Sequence, residues 1–270
     1  MTFKILAIKG YAGAGKTTVE KALYWLMSFD NDMSQFTIID NEDLLNPTLA
    51  KHAFFGCKDG TMPIYIVHRS FASPLKDYLA SLIGCHPGKL HEQSIKASLQ
   101  PDLFGDLTVR DMHLKLADII KQCTGNEDIF ADSMRRYIMR IYKRGCLNVL
   151  FVIDDLRYPF EHEMLQHLVL EDVVDDYICL EVKKPNAKPI QHNSESEQSK
   201  IVPDFTYINN YDLKTDMHQL VPVVNRCLEN LDNEPKFKEL DDEYLSKIID
   251  AQIQERLNKR QQRLKDAGVL

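Results

Sequence analysis

Short, dense apolar runs alternate with stretches whose apolar residues recur at helical spacing, and that alternation predicts a mostly parallel sheet wrapped by helices. KILAI at 4–8 stops just before Gly10, and Val19, Ala22, Leu23 and Leu26 then recur at helical intervals over 19–29. FTIID at 36–40 and IYIVH at 64–68 predict two more strands, with a polar stretch between them through about residue 60. SPLKDYLASLIG opens with Ser73 as a cap and Pro74 in the first turn, which predicts a helix. Residues 84–107 carry Gly, Pro and His without a firm period and predict an insertion over one face, with a short helix at 91–98. Two helices follow, about 108–123, opened by Thr108 and closed near Gly125, and 127–144, closed by Gly145. LNVLFVI at 147–153 is apolar at six of seven positions, the density of a central strand covered on both faces. A helix at 160–168, strands at 177–182 and 205–210 and a helix near 213–231 complete the pattern. The polar segment 183–200 reads either as a lid or as a plain loop.

Beyond Pro235 the chain is highly charged, with Leu240, Tyr244, Leu245, Ile248, Ile249, Ile253, Leu257 and Leu264 at helical intervals. That predicts an amphipathic helix over about 240–266, whose mixed charges suit packing on a domain or a partner, including a homodimer, better than a membrane. We therefore expect one domain at 1–232, with an acceptor-side insertion about 84–145 and a lid about 183–200, followed by a helical tail at 233–270.

Composition narrows the function. The net charge of −7, from 33 basic and 40 acidic residues, gives no background attraction for nucleic acid, whereas a basic pocket for a small anion remains compatible with it. Six cysteines at 57, 85, 123, 146, 179 and 227 form no CxxC pair or metal spacing. With a start, MTFKILAIKG, that lacks a signal peptide's organisation, they point to cytoplasmic thiols packed as small hydrophobes. No apolar run approaches the ~18 residues of a membrane span.

The sharpest feature is Gly10-Tyr11-Ala12-Gly13-Ala14-Gly15-Lys16-Thr17, which fits G-x-x-x-x-G-K-[ST] between a strand and a helix. Glycines let successive backbone N–H groups face phosphate oxygens, and the helix N-terminus adds its partial positive charge. Gly10, Gly13, Ala14, Gly15, Lys16, Thr17 and Thr18 thus form the expected ATP or GTP cradle. Lys16 would reach the β and γ phosphates, and Thr17 would ligate Mg2+.

Asp154 and Asp155 end an apolar strand, where a carboxylate is costly unless it meets a cation or donors. One of them, Asp154 in our reading, would face the metal opposite Thr17; the other reading is a helix cap or turn. Arg157 could neutralise the transferring group or bind an acceptor phosphate, unless it pairs with Glu161 or Glu163. Arg69 and Lys76 bracket the next turn and suit an acceptor phosphate, although each could equally face solvent. Arg110, Arg135, Arg136, Arg140 and Arg144 read mostly as surface residues of two helices, with Arg136 carried as the candidate to face a substrate. His192 with Ser194, Glu195 and Glu197 is too loose a grouping for a metal site, and His162 reads as a surface helix residue.

GYAGAGKTT at 10–18, HRSFASPLK at 68–76, VIDDLRYPFEHE at 152–163 and HNSES at 192–196, in this order, resemble the deoxynucleoside monophosphate kinases of tailed bacteriophages. These belong to the P-loop nucleoside-monophosphate kinase superfamily. The resemblance spans about 10–210 and implies a three-layer α/β P-loop fold with a helical lid. It also implies transfer of the ATP γ-phosphoryl group to a deoxynucleoside 5′-monophosphate, in the cytoplasm of a host if the protein is viral. By matched position, Lys16 and Thr17 would serve ATP and magnesium, and Asp154 or Asp155 the metal side, with Asp155 carried as a catalytic candidate beside Lys16 and Arg157. Lys76, Arg157 and Glu161 would belong to the acceptor region and 183–200 to the lid.

Two other readings stay open on the residues alone. One is a kinase of another small acceptor, such as dephospho-coenzyme A. The other is a P-loop ATPase or switch acting through partners, although the guanine-reading [NT]KxD of GTPases is missing from the sequence.

Overall fold

A computed structural model describes residues 2–11, 13–29, 36–40, 64–86, 89–90, 93–143, 148–185, 193–210 and 218–229. The expected tail helix, the whole segment between the second and third strands, Arg144 and the Gly145 expected to close its helix, and residues 186–192 of the expected lid, His192 among them, lie outside the described residues.

Six described strands form one sheet, β1 (Phe3–Lys9), β2 (Phe36–Asp40), β3 (Ile64–Arg69), β4 (Val149–Ile153), β5 (Asp176–Lys183) and β6 (Phe205–Ile208). Their order is β2-β3-β4-β1-β5-β6, and every pairing is parallel. The described helices are α1 (Lys16–Phe29), α2 (Ser73–Ile83), α3 (Gln93–Lys96), α4 (Pro101–Phe104), α5 (Val109–Thr124), α6 (Ile129–Lys143), α7 (Pro159–Leu170), α8 (Asn193–Gln198) and α9 (Val221–Leu228). The result is a mixed α/β fold with a parallel sheet flanked by helices.

Strand alternation assigns the two faces. Leu6 and Ile8 of β1, with Leu150, Val152, Ile178 and Leu180, pack on Val19, Ala22 and Leu23 of α1 and on Val223, Val224 and Cys227 of α9. On the other face Phe3, Ile5 and Ala7 join Phe151, Ile153 and Cys179 under Met134, Tyr137, Ile138 and Ile141 of α6 and Leu165 and Leu168 of α7. Phe151 is fully buried, with the Phe3 ring 6.3 Å away and the Tyr137 ring edge-on at 5.9 Å. A third, smaller core of Leu79, Ala80, Leu90, Phe104 and Val109 binds α2 to the inserted α4 and α5. The insertion therefore has its own hydrophobic anchor, while α6 belongs to the main sheet.

Several expected elements shift. The first helix begins at Lys16, inside the loop motif and ahead of the apolar run at 19–29, where Thr18 and Val19 donate to Gly15 O. Ser73 is not the cap of α2: Ala72 holds that place, and Ser73 Oγ instead accepts from Ser70 N at 2.9 Å. The helix expected at 91–98 shrinks to four residues, and a second short helix, α4, follows in the stretch that lacked a period. Of the helix expected near 213–231, Val221–Leu228 are helical, and residues 213–217, 230 and 231 lie outside the described residues. Thr108 does open α5, in a reciprocal capping box with Asp111, and Gly125 closes it in the left-handed region.

Truncating the ring at the centre of this sheet tests the packing account. Phe151→Ala should lower unfolding free energy by about 3–5 kcal/mol in a urea titration, with a smaller loss pointing to a core that collapses around the gap.

Candidate functional site

β1 ends between β4 and β5, where the chain order diverges to either side of the sheet, and the Gly-rich loop begins there. Gly10 has φ 148°, and a Cβ on it would sit 2.5 Å from Val182 O of β5, so any larger residue pushes the loop off the sheet. Gly15 has φ 102°, and a Cβ there would strike the Asn209 side chain. Asn209 Nδ2 donates to Ala14 O at 3.0 Å, so the residue after β6 fixes the loop from outside. Gly10 N donates to Gln198 Oε1 at 3.2 Å, which ties the loop's start to α8. Lys16 Nζ folds over the loop onto Gly10 O at 2.6 Å and Tyr11 O at 3.2 Å. Thr17 and Thr18 are exposed on the first turn of α1.

Beneath the loop, Lys9 is buried but fully engaged. Its Nζ donates to Ile201 O at 2.6 Å and Gln198 O at 3.1 Å and lies 3.3 Å from Glu181. A cavity of about 650 Å3 opens there, lined by Lys9, Gly10, Tyr11, Lys184, Gln198 and Pro203 among others.

The two aspartates after β4 have different surroundings. Asp154 is buried, with its Oδ2 3.7 Å from His68 Nε2, and His68 in turn lies 3.3 Å from Glu20 Oε1 of α1. Burial disfavours the imidazolium of His68, but the Asp154 hydrogen bond and the charges of Glu20 and Asp154 outweigh it and raise its pKa. Asp155 instead accepts from Phe71 N at 2.7 Å and Ala72 N at 3.2 Å. It pins the turn between β3 and α2, and burial together with the Asp154 charge raises its pKa. On this geometry Asp154 is the carboxylate beside the loop helix, and Asp155 holds backbone.

Cations gather beside this pair. Lys76 Nζ donates to Ser70 Oγ at 2.8 Å. Burial, then the charges of Lys76 and Arg110, lower the pKa of Lys96, with Arg157 adding to them and Asp154 opposing. Burial, then Lys76, Arg157 and Lys96, push His113 down to about 4. Mutually repelling cations, partly withdrawn from water, make a site that an anion would stabilise.

The remaining expected acceptor residues are more dispersed. Arg69 stacks its guanidinium 4.0 Å above the Tyr137 ring on the α6 face. Glu161 is buried at the start of α7, where its Oε2 accepts from Arg157 N at 2.8 Å and Tyr158 N at 3.0 Å. The expected Arg157–Glu161 contact therefore runs through the backbone of Arg157. Arg136 is exposed and lines an apolar cavity of about 460 Å3 with Pro74, Leu75, Tyr78, Leu116, Ile120 and Phe130. Leu116 lies one turn along α5 from His113, and Leu75 precedes Lys76 on α2, so two helices that line the cavity also carry members of the cation cluster. Arg135 pairs with Glu171. His162 is not a plain surface residue: it is half-buried, and its Nδ1 lies 2.8 Å from Tyr177 Oη.

Glu20, His68, Lys96, His113, Gln198 and Asn209 escaped the sequence reading. Glu20 carried a readable signal, a carboxylate one residue from Val19 and two from Ala22 on the apolar side of a helix. Lys96 and His113 lay in or beside the insertion, and nothing in their spacing tied them to the strand ends.

No protein-family model matches the chain, and no curated protein is significantly similar to it.

Burial raises the Glu161 carboxyl to about 8, with the Asp155 charge adding to it and the two backbone N–H groups opposing. Because this lies above the ordinary 4.5, the stabilisation is complete below about pH 4.5 and is lost as pH rises through about 8. Glu161→Gln keeps an acceptor for both amides. Urea unfolding at about pH 5 and about pH 8 should show a smaller loss of stability on raising pH in this variant than in the wild type. Equal slopes would place the titration elsewhere.

Proposed function

We propose that this chain is a P-loop phosphotransferase that moves the γ-phosphoryl group of Mg-ATP to a nucleoside or deoxynucleoside 5′-monophosphate, giving the diphosphate and ADP. The observation that carries the reading is the adjacency of two anion-suited features at one edge of the sheet. The Gly10–Thr17 loop follows β1, and Lys76, Lys96, Arg110, Arg157 and His113 surround the end of the neighbouring β4. The apolar cavity adjoining the cations has the character expected of a pocket for a flat base. The parallel sheet with helices on both faces supports the three-layer P-loop architecture.

The donor set suits the expected ion, since the Thr17 hydroxyl and Asp154 carboxylate are hard oxygen ligands. Thr17 and Asp154 would hold Mg2+, which supplies neutralisation of charge on the β and γ phosphates. Lys16 would leave its two loop carbonyls for those same phosphates. Lys76 and Arg157 would hold the acceptor phosphate in line, with Lys96 and His113 adding positive potential behind them. An oxygen of the acceptor phosphate attacks the γ-phosphorus as the bond to the ADP oxygen breaks. The nucleophile is already anionic, so no strong base is required, and alignment and charge stabilisation do the work. Asp155 and Glu161 serve by fixing backbone on either side: Asp155 the turn that carries Ser70 and Lys76, and Glu161 the amide of Arg157.

ADP formation from Mg-ATP should be tested against dAMP, dGMP, dCMP, dTMP, 5-hydroxymethyl-dCMP, the ribonucleotides and dephospho-coenzyme A, beside an acceptor-free control. Turnover should depend on one or more nucleoside monophosphates. Dependence on dephospho-coenzyme A alone would make the protein a different small-molecule kinase, and acceptor-independent turnover an ATPase. Lys16→Ala should reduce kcat by about 100-fold or more while the circular dichroism spectrum is unchanged. Arg157→Ala and Lys96→Ala should each raise acceptor KM more than they change KM for ATP. An unaltered acceptor KM in both would remove the cation cluster from the site.

A further inference from the structure

We propose that Glu20, His68 and Asp154 form a divalent-cation site with one imidazole and two carboxylate ligands, suited to a first-row transition ion such as Mn2+ in preference to Mg2+. The three residues come from three separate elements. Glu20 lies on α1 one turn beyond Thr17, His68 is the penultimate residue of β3, and Asp154 follows β4 directly. The sheet brings the last two together, because His68 and Val152 are register partners on adjacent parallel strands.

The geometry is that of a ligand set. His68 Nε2 stands 3.3 Å from Glu20 Oε1 and 3.7 Å from Asp154 Oδ2, and one donor atom from each residue lies within 4.8 Å of the other two. Ligands bound at about 2.1 Å around one ion stand roughly 3.0–3.5 Å apart when adjacent. The shorter pair is already at that spacing, and side-chain rotations can close the longest.

Charge argues the same way. Glu20 and Asp154 are 6% and 7% exposed, so two carboxylates are withdrawn from water around one imidazole. Even with the imidazole protonated, the trio carries one net negative charge. A divalent ion on a neutral imidazole brings it to zero. Glu20 stands on α1 beside Val19, Ala22 and Leu23, which pack against the sheet, and turns its carboxylate to His68. The imidazole sets the preference, because nitrogen ligands favour Mn2+ and later ions over Mg2+, whose sites are built of oxygen.

The site shares Asp154 with the magnesium position proposed above but adds two ligands outside the loop, and its test needs neither ATP nor acceptor. The full chain, free of nucleotide, is titrated with MnCl2, and free Mn2+ is read by electron paramagnetic resonance. One Mn2+ should bind per chain, and pulsed measurements on the bound ion should detect coupling to an imidazole nitrogen. His68→Gln and Glu20→Gln should each weaken binding by about 10-fold or more and His68→Gln should abolish the nitrogen coupling, while Thr17→Ala leaves both unchanged. Absence of Mn2+ binding to the wild type, or binding without nitrogen coupling, would overturn the site and reduce the trio to a hydrogen-bonded ion pair. Either result leaves acceptor-dependent ADP formation to be judged by itself.

Discussion

The backbone of Gly10 approaches the Val182 carbonyl so closely that no side chain fits between them, and the site's arrangement follows from that contact. It lets β1 run to the sheet's edge between β4 and β5 and then turn sharply into α1 without losing its neighbour. With the loop held there by Asn209 and Gln198, the N–H groups at the start of α1 gather at one place. The same turn places Glu20 of α1 beside the residues that end β3 and β4.

A second constraint is charge in a partly dry environment. The end of β4 carries Asp154 and Asp155 close to Lys76, Lys96, Arg157 and His113, and burial works against the ionised state of Asp155, Lys96 and His113. The fold manages this by dividing the tasks. Asp155 spends its carboxylate on two amides and Glu161 on two more. What is left beside the loop is a positive cluster next to an apolar cavity, a combination that a phosphate ester with a flat organic part would complement.

Much of the frame was legible in the sequence. Runs such as LNVLFVI could hardly be anything but an interior strand, and the loop motif announced its own strand and helix. Local competition set the misplaced boundaries: Ser73 looked like a helix cap, but Ser70 N captured its oxygen. The site was legible only where chemistry is contiguous in sequence. Lys16, Thr17, Asp154 and Arg157 sit in recognisable blocks, whereas His68, Lys96 and His113 acquire meaning only when β3, the insertion and α5 meet. Glu161, placed in the acceptor region by the resemblance, meets Arg157 through a helix-start hydrogen bond to backbone, a link that only the fold shows.

The central claim is that the loop and the cation cluster form one continuous track for phosphate groups. A dinucleoside pentaphosphate, which joins donor and acceptor nucleotides through a single phosphate chain, tests it most directly by calorimetric titration. The account predicts binding at least ~100-fold tighter than ATP alone, weakened separately by Lys16→Ala and by Arg157→Ala. Affinity no greater than that of ATP, or indifference to Arg157, would contradict it.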